Sequence, residues 1–228
     1  MQMPNQESTG SDRSGESGSP RPRPSASADS RKVRSNRART TATRAALIAA
    51  ARELFASKGY ADTGTPEIVS TAGVTRGALY HHFSDKLELF RAVVEAEAVA
   101  VAEAIAHETI DAGSPLDAML TGADAYFAAM SEAGRGRLML LEGPAVLGLR
   151  EMDEIDRRTG ADELRQGLEA AIGDQDRSDV PLDALTAVLS AAFDKAALAI
   201  VSGESAEEYR EALRILTSGI PGMRSDTR

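Results

Sequence analysis

The stretch STAGVTRGALYHHFSDK, residues 70–86, constrains the fold more than any other part of the chain. Thr65 is expected to be the N-cap of a short helix with Pro66 in its first turn, and TAG ends that helix at Gly73, which is free to adopt the positive φ of a sharp turn. Thr75 has the side chain expected to cap the next helix, which runs to about Phe83. Two short helices joined by a tight turn with glycine are typical of a helix-turn-helix unit.

The remaining apolar residues also recur at helical spacing. The chain has 228 residues, of which 42% are apolar, mostly Ala, Leu, Val and Ile. Alternating β-branched runs are almost absent, so the sequence predicts an all-α fold. Stripes and capping signals, among them those at Ser114 and Ser205, predict nine helices, the seventh with a break at Thr159-Gly160. We expect a helix-turn-helix domain over residues 40–100, with the motif itself at 63–82, and a larger helical domain over 101–220.

The N-terminal segment differs in composition from the rest. Residues 1–39 are rich in Ser, Arg, Pro and Gly and have almost no large apolar residue, so we expect them to be disordered. Six basic residues and no acid lie between Arg31 and Arg44, and this run is either a solvated tail or an arm along nucleic-acid phosphates. Residues 1–91 contain 14 Lys and Arg against 9 Asp and Glu, whereas the remaining residues contain 12 against 26. The two parts are therefore expected to face different partners.

Several classes of protein are disfavoured by composition. The chain has no cysteine, which excludes disulfides, cysteine nucleophiles and thiolate metal sites. The N-terminus has no apolar stretch of a secretory signal, so we expect a cytoplasmic protein. The most apolar window, Ala184 to Val201, contains Asp194 and Lys195 and predicts a buried helix and no membrane span.

The histidine pair in the opening stretch is a weak candidate for a metal or catalytic site. Adjacent helical residues point about 100° apart, so His81 and His82 cannot readily chelate one ion together. No histidine follows at three or four residues, and no nucleophile-elbow motif is present. We therefore expect no metal, no cofactor and no catalytic residue.

Helical spacing divides the predicted third helix into two faces. Leu79 and Phe83 are four residues apart and are expected to face inward, while Arg76, Tyr80 and His81 fall on the other side. Arginine can read guanine in the major groove, and tyrosine and lysine bind phosphate oxygens. Lys86 lies in the first turn of the next helix, where a bound phosphate would pair with both the lysine and the free N–H groups. The alternative for Tyr80 is a surface residue that covers Leu47 or Leu54.

The segment LIAAARELFASKGYADTGTPEIVSTAGVTRGALYHHFSDKLELFRAVVEA resembles the DNA-binding domain of tetracycline-repressor-type (TetR-type) transcriptional regulators. The shared elements are a first helix ending in F-x-x-x-G-Y, the entry to the second helix, AGVTRGALYHHF as turn and recognition helix, and DK-x-x-L. The resemblance covers about residues 43–96. Val69 replaces the more usual Ala, and Gly64 the more frequent Thr or Ser. The resemblance implies DNA contacts at seven positions: Thr65, Thr75, Arg76, Gly77, Tyr80, His81 and Lys86.

Beyond residue 100 the resemblance is weaker, although LLEGPAVLG and the last two helices look like the effector and dimerisation part of one subgroup. Aromatic, Met and His residues of the middle helices could line an effector pocket or only fill the core: His107, Tyr126, Phe127, Met130, Met139 and Met152. The family pairs its last two helices across a dimer axis, which implies an interface at Leu182, Leu185, Leu189, Phe193, Ile200, Tyr209, Leu213 and Leu216. Burial within one chain is the alternative for these residues.

The function expected from these features is that of a homodimeric repressor released from a palindromic double-stranded DNA operator by a small-molecule effector. The scarcity of polar groups in the middle helices favours an apolar, uncharged or cationic effector. Two alternatives stay open: a ligand-independent DNA-binding or architectural protein, and an enzyme in the C-terminal domain. We expect no membrane partner and a location in the cytoplasm, at the nucleoid.

Overall fold

A computed structural model describes residues 26–159, 161–172 and 180–220, and side chains from residue 37 onward except 161–163. Within these ranges the chain is all-α, as predicted, with eleven α-helical segments and one π-helical turn. Residues up to Thr40 belong to one compact unit and residues from Thr41 on to another. In chain order the helices are α1 (Ala26–Lys58), α2 (Thr65–Thr71), α3 (Arg76–His82), α4 (Lys86–Thr109), α5 (Pro115–Met130), α6 (Arg135–Arg137), the π turn (Leu138–Glu142), α7 (Gly143–Leu147), α8 (Leu149–Thr159), α9 (Ala161–Ile172), α10 (Leu182–Val201) and α11 (Ala206–Ser218).

The helix count exceeds the nine predicted because glycines interrupt the middle of the chain. Gly134, with φ +77, begins α6, and Gly148, with φ +86, separates α7 from α8. The predicted break at Thr159-Gly160 falls on residue 160, which lies outside the described residues, between α8 and α9. The capping boxes are confirmed, because Ser114 and Ser205 accept hydrogen bonds from the backbone three residues on.

The first helix begins earlier than the composition indicates. The backbone is helical from Ala26, although residues 26–39 were expected to be disordered; the same prediction for residues 1–25 lies outside the described part of the chain. Adding a residue to an existing helix gains one hydrogen bond without a new nucleation step, so a helix anchored downstream can extend over a polar segment. Residues 37–40 of this extension are all exposed.

The core of the second unit is continuous from α1 to α11. Leu47, Phe55, Leu79 and Phe90 are fully or almost fully buried, and Leu138, Ile155 and Leu168 extend the same core. Helix α4 passes without interruption through residue 100, so the two predicted domains share one helix. Within the described part of the chain, one helix, α10, is long and apolar enough to cross a membrane. Core helices of soluble proteins share this property.

A buried ion network joins α1, α4 and α6. The carboxylate of Glu97 on α4 accepts a hydrogen bond from Arg135 Nε at 2.7 Å and two from Arg52 at 3.3 Å. Glu97 and Arg135 are each 7% exposed, and Arg135 also donates to the carbonyl of Ala129. Although burial alone would raise the pKa of Glu97, the two arginines lower it below the ordinary value, so the carboxylate is charged.

The turn before α6 lies directly against the last turns of α1. A Cβ placed on Gly134 would come within 2.6 Å of Ala56 Cβ and 2.9 Å of its carbonyl oxygen. Only glycine allows this approach, and the positive φ of residue 134 independently favours glycine. The contact fixes the α5–α6 connection on the helix that precedes the helix-turn-helix unit.

Two glycine substitutions separate the close approach from the backbone strain. Gly134→Ala and Gly73→Ala both force a positive φ on alanine, at about 1–2 kcal/mol each, but a Cβ on Gly73 meets nothing within 4 Å. We expect Gly134→Ala to lower the free energy of unfolding by a further ~1–3 kcal/mol through overpacking. Urea unfolding followed by circular dichroism measures both, and equal losses would contradict the close contact with Ala56.

Candidate nucleic-acid interface

Helices α2 and α3 are anchored by three buried side chains. Ile68 and Leu79 are fully buried and Phe83 is 2% exposed, as the helical spacing predicted. Gly73 makes the turn between the helices with φ +64, and the backbone N–H of Val74 donates to Val69 at 3.0 Å. The Thr75 hydroxyl accepts a hydrogen bond from the Ala78 N–H at 3.1 Å, which confirms Thr75 as the cap of α3.

The outer face of α3 is open to solvent. Arg76, Gly77, Tyr80 and His81 are exposed, and Tyr80 retains 44% of its accessible surface. That exposure argues against the alternative in which Tyr80 covers the core. Gly77 has only the Thr75 hydroxyl near the position of a Cβ, at 3.9 Å, so this part of α3 offers a flat backbone surface.

Thr65, Arg76 and Tyr80 form one polar group across α2 and α3. A hydrogen bond with the Thr65 hydroxyl, and next one with Arg76, lower the pKa of the exposed Tyr80 phenol. The Arg76 guanidinium lies 5.5 Å from the centre of the Tyr80 ring. Thr65 is the first residue of α2 and not its cap, because Gly64 takes the cap position without a side-chain bond. The Thr65 hydroxyl is thereby available to Tyr80.

Lys86 has intrachain partners that the sequence did not indicate. Its ammonium donates to the carbonyl of Tyr60 at 2.8 Å and to that of Thr63 at 3.0 Å. The same nitrogen lies 4.1 Å from the centre of the Tyr60 ring, a cation–π distance. Two of its three N–H groups thus hold the α1–α2 connection, which leaves one for the predicted phosphate contact.

Arg44, which is exposed, and His82, which is half-buried, lie beside this face. His82 was not among the predicted contacts, whereas Arg44 belongs to the basic run that was expected to be either a tail or an arm along phosphates. Arg44, the last basic residue of the N-terminal run, is exposed and its guanidinium lies 5.2 Å from the centre of the Phe83 ring. Desolvation, followed by the charges of His81 and Arg44, lowers the pKa of His82. The position of Arg44 within the basic run was the signal in the sequence; the side chains of Arg31, Lys32 and Arg34 lie outside the described residues.

The predicted effector residues are not brought together as one set. His107 is exposed and paired with Glu108, whereas the other predicted effector residues are buried or half-buried. Phe127, Met130 and Met139 are buried in the core between α5 and the π turn. Met152 on α8 lies against α7, where a Cβ on Gly143 would be 2.9 Å from the methionine sulfur.

Tyr126 is the predicted effector residue with a polar partner. Its hydroxyl donates to Asp194 Oδ1 on α10 at 2.5 Å, and its ring lies 6.4 Å from that of Phe193. Burial and the nearby charge of Asp194 raise the pKa of Tyr126. On α8, desolvation together with the charges of Asp194 and Asp153 raises the pKa of Asp156, whose side chain still reaches solvent, to about 6.

The predicted dimer residues mostly face the core of their own chain. Leu189, Phe193 and Leu213 are 3–7% exposed, and Leu182, Leu185, Ile200 and Tyr209 are half-buried. Leu216, which is 59% exposed, lies on an outer face. That face contains seven apolar residues at helical spacing on the two helices: Ala184, Ala187, Val188 and Ala191 on α10, and Ala212, Ile215 and Leu216 on α11.

A tight turn, a capped recognition helix and an exposed Arg–Tyr face define a helix-turn-helix regulator. Residues 47–93 match the family described as bacterial regulatory proteins, tetR family, and residues 116–220 match the tetracyclin repressor-like C-terminal domain. The chain belongs to the TetR family. It is accordingly a protein of the transcription-regulator class and not an enzyme.

Similar proteins agree with this assignment. The repressor BepR of Brucella suis is 40% identical over 62 residues, which are 27% of this chain and 30% of BepR. The activator FasR of Mycolicibacterium smegmatis is 45% identical over 27% of this chain and 28% of FasR. Both alignments thus span less than a third of the relative. A TetR-family regulator structure from Pectobacterium atrosepticum is 28% identical with a TM-score of 0.64, covering 81% of this chain and 97% of that one.

The contacts of Lys86 predict a structural effect of its removal. Lys86→Met keeps most of the apolar stem but leaves the carbonyls of Tyr60 and Thr63 without their charged donor, so we expect a loss of about 1–3 kcal/mol in the free energy of unfolding. Lys58→Met is the control, because Lys58 pairs only with Glu67 at the surface, where such pairs contribute less than about 1 kcal/mol. Urea titrations compare the two variants, and equal stability would argue that Lys86 is free for DNA.

Proposed function

We propose that this protein is a sequence-specific DNA-binding transcriptional repressor that a small molecule releases from a palindromic operator. The observation that carries the proposal is the exposed Arg76–Tyr80 face of α3, held in place by the buried Leu79 and Phe83. The protein is proposed to act in the cytoplasm, at the nucleoid.

Recognition of DNA divides between these side chains by their chemistry. Arg76 at the first position of α3 suits bidentate contact with guanine, because helix-turn-helix proteins place the N-terminal residues of the recognition helix at the base edges. Its contact with the Tyr80 ring restricts the guanidinium before DNA arrives, which lowers the entropy lost on binding. Thr65, Thr75, Tyr80, His81 and Arg44 are proposed phosphate or sugar contacts, and the Gly77 backbone allows close approach.

A homodimer supplies the two recognition helices that a palindrome requires. Their centres must lie about 34–36 Å apart to enter successive major grooves. The outer faces of α10 and α11 support this arrangement, since Val188 is 66% exposed and Ile215 and Leu216 are each 59% exposed. An apolar face of this kind on two adjacent helices is typical of a subunit interface.

The effector is proposed to bind between the middle helices of the C-terminal domain. Phe127, Met130 and Met139 supply apolar surface, and Tyr126 with Asp194 supplies the polar group nearest to it. Because the neighbouring ionisable groups, Asp194 and Asp156, are acidic, an uncharged or cationic apolar molecule suits this region better than an anion. Release of DNA requires that the effector bind one state of the dimer more tightly than the other.

Substitutions on α3 should separate base reading from phosphate contact. Starting from a site selected by wild-type protein out of random DNA, we expect Arg76→Ala to relax preference at one base pair per half-site, at about 1–3 kcal/mol. Tyr80→Phe keeps the ring under Arg76 but removes the hydroxyl, so affinity should fall for every sequence. Fluorescence anisotropy on matched and single-mismatch fragments measures both effects, with exposed His107→Ala as the control. Unchanged affinity in a folded Arg76→Ala/Tyr80→Phe variant would refute the interface.

The exposed stripe on α10 predicts how the dimer can be dissociated. Val188→Glu places a charge on the outer face and should yield a folded monomer, because an unpaired charge in an interface costs several kcal/mol. Leu189→Glu, one residue on, should instead unfold the chain, since Leu189 is 4% exposed. Sedimentation at micromolar concentration with circular dichroism distinguishes them, and Ile110→Glu, at a 74% exposed site on another element, is the control. A wild-type monomer would refute the dimer.

A further inference from the structure

The connection between α1 and α2 is held by side chains from two other parts of the fold. Glu142, the last residue of the π turn, accepts a hydrogen bond from the Tyr60 N–H at 2.6 Å. Lys86 binds the carbonyl of the same residue and packs on its ring. The N–H of Tyr60 is therefore hydrogen-bonded to the C-terminal domain, and its carbonyl is hydrogen-bonded to the first residue of α4.

The contact with Glu142 is closely fitted. Its second carboxylate oxygen pairs with Arg137 Nη2 at 2.6 Å, so both oxygens are used, and the side chain is only 16% exposed. A Cβ on Gly59 would lie 2.7 Å from Glu142 Oε1 and 2.7 Å from Arg137 Nη2. The carboxylate can reach Tyr60 because residue 59, with φ +88, has no side chain.

Tyr60 is also packed where the helix-turn-helix unit meets α4. Its ring lies 5.7 Å from that of Phe55 and 4.9 Å from that of Phe90, measured between ring centres. The Thr63 hydroxyl donates to the carbonyl of Gly59 at 2.7 Å and continues the tie toward α2, which begins two residues later. A displacement of Tyr60 would consequently change the orientation of α2, and of α3 packed on it.

Residues 138–142 form a π turn, and an α-helical alternative for the same residues would place Glu142 differently. A π turn holds one residue more than an α turn, and such insertions lie frequently at functional sites. If residues 138–142 rewound as α-helix, the loss of that residue from the turn would rotate Glu142 by roughly 100° relative to the preceding helix. The carboxylate would then leave the Tyr60 N–H.

We propose that Glu142 is a positioning residue through which the C-terminal domain sets the orientation of the helix-turn-helix unit, with the π turn as its two-state element. This inference rests on the proposed function, because orientation of α3 matters only for a protein that binds paired half-sites. Met139, a buried residue of the same π turn, is itself one of the residues proposed to line the effector region.

The first test requires no DNA. Amide hydrogen exchange over residues 59–64 is compared in wild type, Glu142→Ala, Glu142→Gln and Arg137→Ala. We expect Glu142→Ala to accelerate exchange of the Tyr60 amide about tenfold or more, because it removes a charged acceptor. Glu142→Gln should recover most of the protection, since its amide oxygen still accepts. Arg137→Ala is the matched control, because it removes the other partner of the same carboxylate and leaves the Tyr60 bond.

The second test compares DNA fragments with one and two half-sites of the selected operator. A change in orientation affects only simultaneous binding, so Glu142→Ala should lose about tenfold in affinity for the two-half-site fragment and about twofold or less for the single half-site. Equal losses on both fragments, or an unchanged Tyr60 amide in Glu142→Ala, would overturn the proposal. Failure of the proposed function itself would be seen separately, as absence of wild-type binding to any selected fragment.

Discussion

The buried carboxylate of Glu97 is the interaction on which the arrangement of the helices depends. It lies between Arg52 of α1 and Arg135 of α6 and joins elements that are distant in sequence. Ion pairs of this kind add little net stability when complete, because desolvation of the charges offsets their attraction. Removing one member of the network strongly lowers the free energy of unfolding, however, because the remaining charges stay buried without a partner. The network therefore specifies one register of α1 against α4 and α6.

The register of α1 against α6 matters because two neighbouring close contacts depend on it. Gly134 can lie against Ala56, and Gly59 against Glu142, only if α1 keeps this register against α6 and the π turn. An apolar interface would tolerate sliding of one helix along another more readily than a charged one.

The charge of the chain is unequally distributed. Basic residues concentrate in the N-terminal part, which favours approach to DNA, whereas the acidic C-terminal part would by itself oppose that approach.

The helix-turn-helix unit could be predicted from the sequence because its signals are local. Gly73, the Thr75 cap and the inward spacing of Leu79 and Phe83 each depend on a few adjacent residues, and all are confirmed. The intrachain partners of Lys86 could not be predicted, because its position in the first turn of α4 says nothing about the Tyr60 and Thr63 carbonyls, which lie more than twenty residues away in sequence. Partners of this kind are set by tertiary packing.

The same limit applies to α10, whose apolar residues lie nearly all around the helix. Periodicity identifies the helix but cannot tell which apolar side meets the chain's own core, so the larger leucines were assigned to the dimer. In the structure Leu189 and Phe193 fill the core, and the outer side has smaller residues. Glu97 was likewise missed, because a single acid on an amphipathic helix does not reveal that two arginines bury it.

Those smaller residues have a geometric consequence for the proposed dimer. Ala184, Ala187 and Ala191 allow two helices to approach to the short end of the usual interaxial range, about 8 Å, where backbones nearly touch and few crossing angles are sterically permitted. Packing this close would resist rotation of one subunit relative to the other. In the proposed dimer, the size of these side chains would therefore restrict how far the two recognition helices can move relative to each other.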